Sequence, residues 1–250
     1  MKRIYPALLI GLILIAALPG WAPAQTVLPK VTIALDQSSR PEDVAVTIQI
    51  MVLLTILTLA PSILVMTTAF TRIIVVLHFL RQAMGTQSTP PNQVVVGLAL
   101  FLTMFVMQKP VAEIYNQAWV PYKENRISIQ QAFTQSQQPL KDFMLRQTRE
   151  KDLALFVKMS EMDQPEDKSQ LPLTTVIPGF IISELRMGFQ IGFLIYMPFL
   201  IIDMVVASVL MSMGMMMLPP VMISLPFKVL LFVLVDGWYL LVESLIKGFH

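Results

Sequence analysis

Ionisable side chains interrupt the apolar stretches of this 250-residue chain, and two of them could bind each other. Asp203 and Lys228 carry opposite charges and flank a methionine-rich segment. Removing one partner of a buried ion pair typically costs about 3–5 kcal/mol, so such a pair would hold two helices together or link neighbouring subunits. The alternative is that each side chain extends to the membrane surface or to a solvated helix end.

A second group of charges lies in the last apolar segment, where we expect one helix to begin near Pro226. At 100° per residue, Lys228, Asp236 and Glu243 fall within about 80° of one another around that helix. A charged stripe on an apolar helix favours a protein partner over lipid acyl chains. A proton relay through the two carboxylates is the alternative.

The methionines are concentrated in one segment, with six of the 18 between Met211 and Met222. Three are consecutive, and Gly214 and Pro219 bracket them as a loop. One interpretation is adaptable packing, because the unbranched methionine side chain fills irregular gaps. The other is a gasket, in which a ring of flexible thioethers closes around an unfolded protein chain and seals when empty. Met215, Met216 and Met217 are the candidate gasket residues.

The sequence lacks the motifs of common enzyme classes. His78 and His250 are the only histidines, and neither has a metal-ligand partner four residues away. No phosphate-binding loop, His-Glu-x-x-His or Gly-x-Ser-x-Gly pattern occurs. The absence of cysteine excludes a disulfide framework and a thiolate metal site. We therefore expect a protein that is not an enzyme, with no cofactor and no bound metal.

The composition is that of a protein in contact with lipid or with large apolar protein interfaces. Hydrophobic residues make up 55% of the chain and charged residues 14%, against about 25% charged residues in typical globular domains. The formal net charge of +2 argues against nucleic acid as a partner, because nucleic-acid binding requires a clustered basic face.

The N-terminus has the pattern of a cleavable signal peptide over residues 1–24. Lys2 and Arg3 precede an apolar core, and Ala22-Pro23-Ala24 supplies the small-residue cleavage pattern. An uncleaved first transmembrane helix is the alternative. Cleavage places residues 25–43 in the periplasm as an N-terminal segment.

Residues 44–108 are expected to form a first hydrophobic helical hairpin. No ionisable residue occurs from Val44 to Thr71, a stretch longer than the ~20 residues needed to cross a bilayer. The following stretch carries Arg72, His78 and Arg81, which point in different directions on a helix. A shorter apolar run then follows, so we expect the helices after Thr71 to be buried in neighbouring subunits more than in lipid.

Residues 109–177 differ in kind and are expected to form a polar periplasmic helical domain. Residues 109–172 hold 18 of the 34 charged residues, nine acidic and nine basic. Ser128 with Gln131 is the pattern of a capping box, and Pro139 could open a second helix. Residues 178–250 form a second hydrophobic hairpin around the methionine-rich loop. The predicted class is all-α: membrane-associated helical hairpins, with about four hydrophobic helical segments, in an oligomer.

Two long segments of the chain, PFKVLLFVLVDGW at residues 226–238 and PGFIISELRMGFQIG at residues 178–192, match known signatures. The first resembles, almost residue for residue, the C-terminal signature of the FliP family of flagellar type III export-gate proteins, and the second is similar to the other long signature of that family. Shorter matches lie at residues 70–77, 81–83, 90–93 and 214–220. Together these segments cover most of residues 50–250. The injectisome homologues of the SctR type share these motifs.

The resemblance implies a subunit of the flagellar protein export gate in the bacterial inner membrane and flagellar basal body. It implies five copies of the chain joined with FliR and FliQ in a closed helical assembly, much of it raised out of the bilayer plane. FlhB-type and FlhA-type export components would be further partners, and unfolded flagellar proteins the cargo. In that family the methionine loop narrows the pore. Glu184 is expected at a subunit contact, with Arg72, Asp236 and Glu243 as further assembly candidates.

Other functions fit the sequence less well. A secondary transporter would need internal repeats and more spans than this chain has, and an intramembrane hydrolase would need a Ser–His or Asp–Asp pair that the spacing does not offer. The same gate role in an injectisome, and a scaffold for gate assembly that does not line the pore, remain as alternatives.

Overall fold

The computed structural model describes residues 41–86, 89–160, 167–215 and 218–249. The predicted signal peptide and most of the predicted segment 25–43 lie outside the described residues. The chain divides into two compact units, residues 1–50 and 51–250. In the first unit, the described residues belong to a helix. The second unit contains the rest of that helix and the remaining elements.

All regular structure in the described residues is helical, which confirms the predicted all-α class. The α-helices, in chain order, are α1 (Pro41–Met66), α2 (Phe70–Ala83), α3 (Asn92–Val106), α4 (Gln108–Ile114), α5 (Val120–Lys123), α6 (Ile129–Gln147), α7 (Glu150–Met159), α8 (Leu173–Ser212), α9 (Pro220–Leu234) and α10 (Gly237–Lys247). A π-helical turn, Tyr115–Trp119, joins α4 to α5, and a short 3-10 helix, Lys168–Gln170, precedes α8.

Two helices are long and apolar enough to cross a membrane, namely Val46–Met66 within α1 and the whole of α8. Two further pairs pass the same test only together, because each is bent at a short break. The pair formed by α3 and the segment 108–123 is bent by 55°, and the pair α9 and α10 by 64°. The predicted number of about four hydrophobic segments is therefore reached when each bent pair counts as one.

The centre of the second unit is the contact between α2 and α8, where two glycines allow close approach. Gly188 and Gly192 lie four residues apart on α8 and face α2. A Cβ atom on Gly192 would lie 2.5 Å from Cγ of Phe79, and one on Gly188 would lie 3.0 Å from Cγ1 of Val75. Small residues at this spacing let two helix backbones pack closely in an apolar environment.

The polar region begins as predicted and continues differently. Ser128 and Gln131 form a capping box at the start of α6, each side chain binding the other's backbone N–H. Pro139 does not open a second helix, because α6 runs through it to Gln147. The next helix instead begins at Glu150, after an extended residue at Arg149. The two helices have buried apolar faces, with Phe143 and Met144 of α6 and Leu153 and Val157 of α7 buried.

The prediction of a single C-terminal helix is wrong, because the structure has two helices there, α9 and α10. Asp236 lies between α9 and α10 and adopts a left-handed backbone conformation with φ of 50°. Asp and Asn tolerate this conformation better than other residues with a side chain. Asp236 and Glu243 therefore do not share a helix with Lys228, and the predicted charged stripe on one helix face does not form.

Candidate functional sites: two buried ion pairs and a methionine loop

The structure brings Asp203 of α8 and Lys228 of α9 together. The Lys228 side chain is 2% exposed, and its Nζ lies 2.6 Å from Oδ2 of Asp203. Nζ also donates to the carbonyl oxygen of Ala83, at 3.1 Å, at the end of α2. Ser224, one turn before Lys228, donates its hydroxyl to Oδ1 of Asp203. The pair thus connects α2, α8 and α9, and the last two of these helices flank the methionine loop.

A second ion pair, between Arg72 of α2 and Glu184 of α8, is more deeply buried. The Arg72 and Glu184 side chains are 2% and 0% exposed. Nε of Arg72 donates to Oε2 of Glu184 at 3.0 Å, and Nη2 donates to Oε1. The planar guanidinium therefore binds the carboxylate through two parallel hydrogen bonds, the strongest geometry available to such a pair.

The remaining donors of Arg72 hold two other parts of the chain. Nη2 donates to Oε1 of Gln147, at the end of α6, at 3.0 Å, and Nη1 donates to the carbonyl oxygen of Gly248, after α10, at 2.8 Å. The guanidinium carbon lies 3.9 Å from the centre of the Phe249 ring, a cation–π contact. Arg72 is thus the point at which α2, α6, α8 and the C-terminal residues meet.

The structure shows the contacts and the exposure of three residues that the sequence suggested for assembly. Glu184 binds Arg72 inside the chain and has no exposed surface, so any effect of Glu184 on assembly would act through the fold of the subunit. Asp236 is exposed at the break before α10. Glu243 is partly exposed and pairs with Lys247, one turn later on α10, at 2.7 Å.

Sequence reasoning missed a third buried polar contact. Ser183 of α8 donates its hydroxyl to Oδ2 of Asp152 at 2.8 Å, and the backbone N–H of Arg149 donates to the same hydroxyl at 3.1 Å. Both Ser183 and Asp152 are buried. The contact fixes the start of α7 against α8. Asp152 lies in the first turn of α7, and an acidic residue near a helix start by itself indicates only a favourable position in the helix dipole.

The methionine loop begins with a well-defined helix end. Gly214 has φ of 75°, its N–H donates to the Met211 carbonyl at 3.1 Å, and the N–H of Met215 donates to the Leu210 carbonyl at 3.0 Å. This is the Schellman pattern, which ends a helix at a left-handed glycine. Met215 is partly buried, whereas Met216 and Met217 lie outside the described residues.

Many apolar side chains of the described residues are exposed on the single chain. On α3, Phe101, Met104 and Phe105 are 73%, 70% and 58% exposed, and on α9 Leu234 is 74% exposed. Exposed apolar surface of this extent marks contact with other proteins or with a membrane. Among the described residues, no three His, Asp or Glu side chains lie close enough together to hold a metal ion. The arrangement is suited to binding helices and lipid.

Comparison with known proteins identifies the family. The sequence profile of the FliP family matches residues 53–245. A flagellar biosynthetic protein FliP of Bacillus subtilis (strain 168) is 59% identical over 212 residues, covering 85% of this chain and 96% of that protein. The FliP of Pectobacterium carotovorum is 53% identical over 203 residues, covering 81% and 79%, and that of Treponema pallidum (strain Nichols) is 45% identical over 224 residues, covering 89% and 83%. The chain therefore belongs to the FliP family.

Proposed function

We propose that this chain is a subunit of the flagellar protein export gate in the bacterial inner membrane. Five copies join FliQ and FliR to form the channel that passes unfolded flagellar proteins, and FlhB-type and FlhA-type components act beside it. The chain has no catalytic role in this proposal. The polar region 109–177 lies on the periplasmic side, between the two hydrophobic hairpins 44–108 and 178–250, after removal of the signal peptide.

The family match carries this proposal. It spans residues 53–245, and relatives at 45–59% identity over most of the chain are named flagellar biosynthetic proteins. Exposed apolar helices support a place in the membrane or in an oligomer. The flagellar role is preferred to the same role in an injectisome, because these relatives carry flagellar names.

The methionine loop is the proposed seal of the channel. Its first residue follows a Schellman motif, so the chain leaves α8 abruptly and Met215 starts a separate loop segment. Two apolar helices, α8 and α9, flank the loop and are held together by Asp203 and Lys228. A loop of flexible side chains on a rigid hairpin would keep its position while its thioethers adapt to different cargo segments.

Crosslinking tests whether the loop touches the cargo. The chain has no cysteine, so a single cysteine at position 215, 216 or 217 is a unique probe. We expect each to crosslink a stalled export substrate that carries a cysteine. Met159→Cys is the control, because Met159 is 70% exposed but belongs to the polar region. Equal crosslinking at Met159 and in the loop, or none in the loop, would favour a gate-assembly scaffold that does not line the pore.

A second experiment tests the proposed assembly role of the ion pair near the loop. Asp203→Ala and Lys228→Ala should each reduce the yield of purified oligomer, because each leaves a charge without its partner. Lys247→Ala is the control, since Lys247 forms an exposed pair on one helix and such pairs contribute little. Normal oligomer yield in both Asp203→Ala and Lys228→Ala would contradict the assembly role.

A further inference from the structure

Charged residues are few in the C-terminal hairpin, and most of them are paired within the chain. Residues 178–249 contain seven charged residues. Five of them belong to the ion pairs described above, two of which are buried. The other two, Arg186 and Asp236, are exposed, and their side chains form no hydrogen bond or ion pair with any residue that the structure describes. The described part of the hairpin thus leaves one cation and one anion without a partner.

Arg186 lies on the outer face of α8. At 100° per residue it points about 160° away from Glu184, which faces α2, so these two charges of α8 lie on opposite sides of the helix. Phe193 and Met197 lie about 20° to either side of Arg186 around the helix. They are 63% and 43% exposed. The outer face of α8 is therefore an apolar surface that carries one cation.

Asp236 lies in a second exposed apolar surface, at the break between α9 and α10. It is the N-cap residue of α10, yet its side chain accepts no capping hydrogen bond, so the carboxylate is available to another partner. The neighbouring side chains of Val233, Leu234 and Tyr239 are 68%, 74% and 61% exposed. The surface at this break is thus apolar and carries one anion, which makes it complementary to the outer face of α8.

The two charges lie too far apart to bind each other within one chain. Helix α9 returns along α8, and the Phe232 ring lies beside the Phe199 ring, with 6.4 Å between the ring centres. Asp236 follows Phe232 by one turn and therefore lies at about the level of residue 195 of α8. Arg186 is about 14 Å further along α8. A second copy that is displaced along α8, or tilted against it, brings its own Asp236 to Arg186.

We propose that Arg186 of one copy binds Asp236 of the next copy, and that this ion pair joins the two apolar surfaces as an interface between subunits. The inference rests on the proposed oligomer and adds the surfaces that form it. Charge complementarity favours a second copy as the occupant, because each surface carries a single charge and the two charges are opposite. Arg81, the other cation of the hydrophobic hairpins without a carboxylate, is only partly exposed and contacts His78.

The proposed interface is head-to-tail. Arg186 and Asp236 lie on different surfaces, so each copy offers its cation to one neighbour and its anion to the other. Such a heterologous contact builds rings or helical assemblies, whereas a self-complementary contact ends at a dimer. The ion pair also fixes the register between copies, because a copy in another register would leave two charges unpaired in an apolar contact.

Reversal of the charges tests the pair in a strain that lacks its own FliP. Arg186→Asp and Asp236→Arg each place like charges opposite one another, so each should reduce the yield of purified oligomer at least about tenfold. The double variant, Arg186→Asp with Asp236→Arg, restores opposite charges and should recover most of that yield. Lys151→Asp is the matched control, because Lys151 is exposed but belongs to the polar region. Its yield should equal that of the unaltered chain.

Crosslinking tests the contact without charge reversal. The chain has no cysteine, so Arg186→Cys with Asp236→Cys gives two unique thiols per chain. A bifunctional maleimide with a span below the distance of about 14 Å within one chain should join them between copies. A head-to-tail contact gives a ladder of dimers, trimers and larger products in denaturing gels. Each single cysteine variant is a control and should give no product larger than a dimer.

Three results would overturn the inference. Unchanged yields in both charge-reversal variants would mean that neither charge has a partner in the oligomer. Reduced yields without recovery in the double variant and without a ladder would assign the two charges to other partners. Crosslinked products no larger than dimers from the double-cysteine variant would exclude the head-to-tail contact. A ladder without recovered yield supports the contact, because arginine at position 236 also strains the left-handed backbone.

Failure of the proposed function is a separate outcome. In that case the unaltered chain would form no oligomer and would not restore motility to the strain. An unaltered chain that forms the oligomer and restores motility, combined with any of the three overturning results, would reject this interface alone.

Discussion

Replacing the buried pair Arg72–Glu184 by methionine, singly and together, tests whether it holds the fold of the subunit. Methionine forms helices well and has a similar reach to both side chains. Arg72→Met leaves the fully buried Glu184 carboxylate without its guanidinium, and Glu184→Met leaves a buried guanidinium without its carboxylate. The double variant removes both charges at once.

The expected magnitudes follow from the contacts. Breaking a buried ion pair by removing one partner costs about 3–5 kcal/mol, because an uncompensated charge stays in the interior. In the double variant the lost interactions are those of Arg72 with Gln147 and with the Gly248 carbonyl, and buried polar groups without a partner cost about 1–3 kcal/mol each. We therefore expect the double variant to lose at least about 3 kcal/mol less than the sum of the two single variants.

The assay is thermal unfolding of the purified chain in detergent, followed by the helical circular dichroism signal. A loss of about 3–5 kcal/mol corresponds to a melting point lower by about 6–20 °C for a chain of this size. Arg81→Met is the control, because Arg81 lies on the same helix, is partly exposed and has a ring nitrogen of His78, at 3.4 Å, as its side-chain contact in place of a carboxylate. Additive losses in the double variant, or an equal loss in Arg81→Met, would refute the reasoning.

Three further changes test the packing and the helix ends, all by the same unfolding measurement. Gly192→Ala should destabilise the chain by about 1–3 kcal/mol, because the added Cβ would overlap the Phe79 ring. Gly97→Ala is the control and should not destabilise the chain, because there is open space around Gly97. Equal effects of the two substitutions would contradict the close approach of α2 and α8. Gly214→Ala should cost about 1 kcal/mol because its φ is positive, and an unchanged melting point would argue against the Schellman turn. Ser128→Ala should cost about 1 kcal/mol through the lost capping box, and no loss would mean that the cap is dispensable.

Local signals in the sequence predicted local structure well. Ser128 and Gln131 specify a capping box through atoms three residues apart, and Gly214 with Pro219 specifies the ends of a loop. Pro139 misled because proline is tolerated within the helix α6, where its ring is buried against the neighbouring helices. Whether a proline starts a helix or sits inside one is decided by the packing around it.

The two ion pairs show which side-chain contacts can be predicted from the positions of charged residues in the sequence. Asp203 and Lys228 flank one loop, and the hairpin of α8 and α9 brings them into contact. Arg72 and Glu184 are 112 residues apart, and opposite charge alone does not select one partner among several. The Arg72 contacts with Gln147 and Gly248 depend on how three helices meet, which only tertiary structure shows.

The C-terminal break shows the limit of hydropathy. The apolar run after Pro226 continues across Asp236, so the pattern indicates one helix. The Asp-Gly dipeptide at 236–237 is a turn signal, but a single such signal within an apolar run did not outweigh the periodicity. Gly237 is also required by packing, because a Cβ there would lie 2.2 Å from the Phe232 ring.

The Arg72 contacts have a consequence for the order of events during synthesis. Glu184 follows Arg72 by 112 residues and Gly248 follows it by 176. Translation proceeds at about 5–20 residues per second. Glu184 is therefore synthesised about 6–22 s after Arg72, and Gly248 about 9–35 s after Arg72. Until Glu184 has been synthesised, Arg72 is a cation without its carboxylate on the apolar helix α2, and such a charge is costly in a bilayer. Helix α8, which supplies Glu184, is therefore the element that neutralises Arg72, and the residues after α10 add a neutral backbone acceptor.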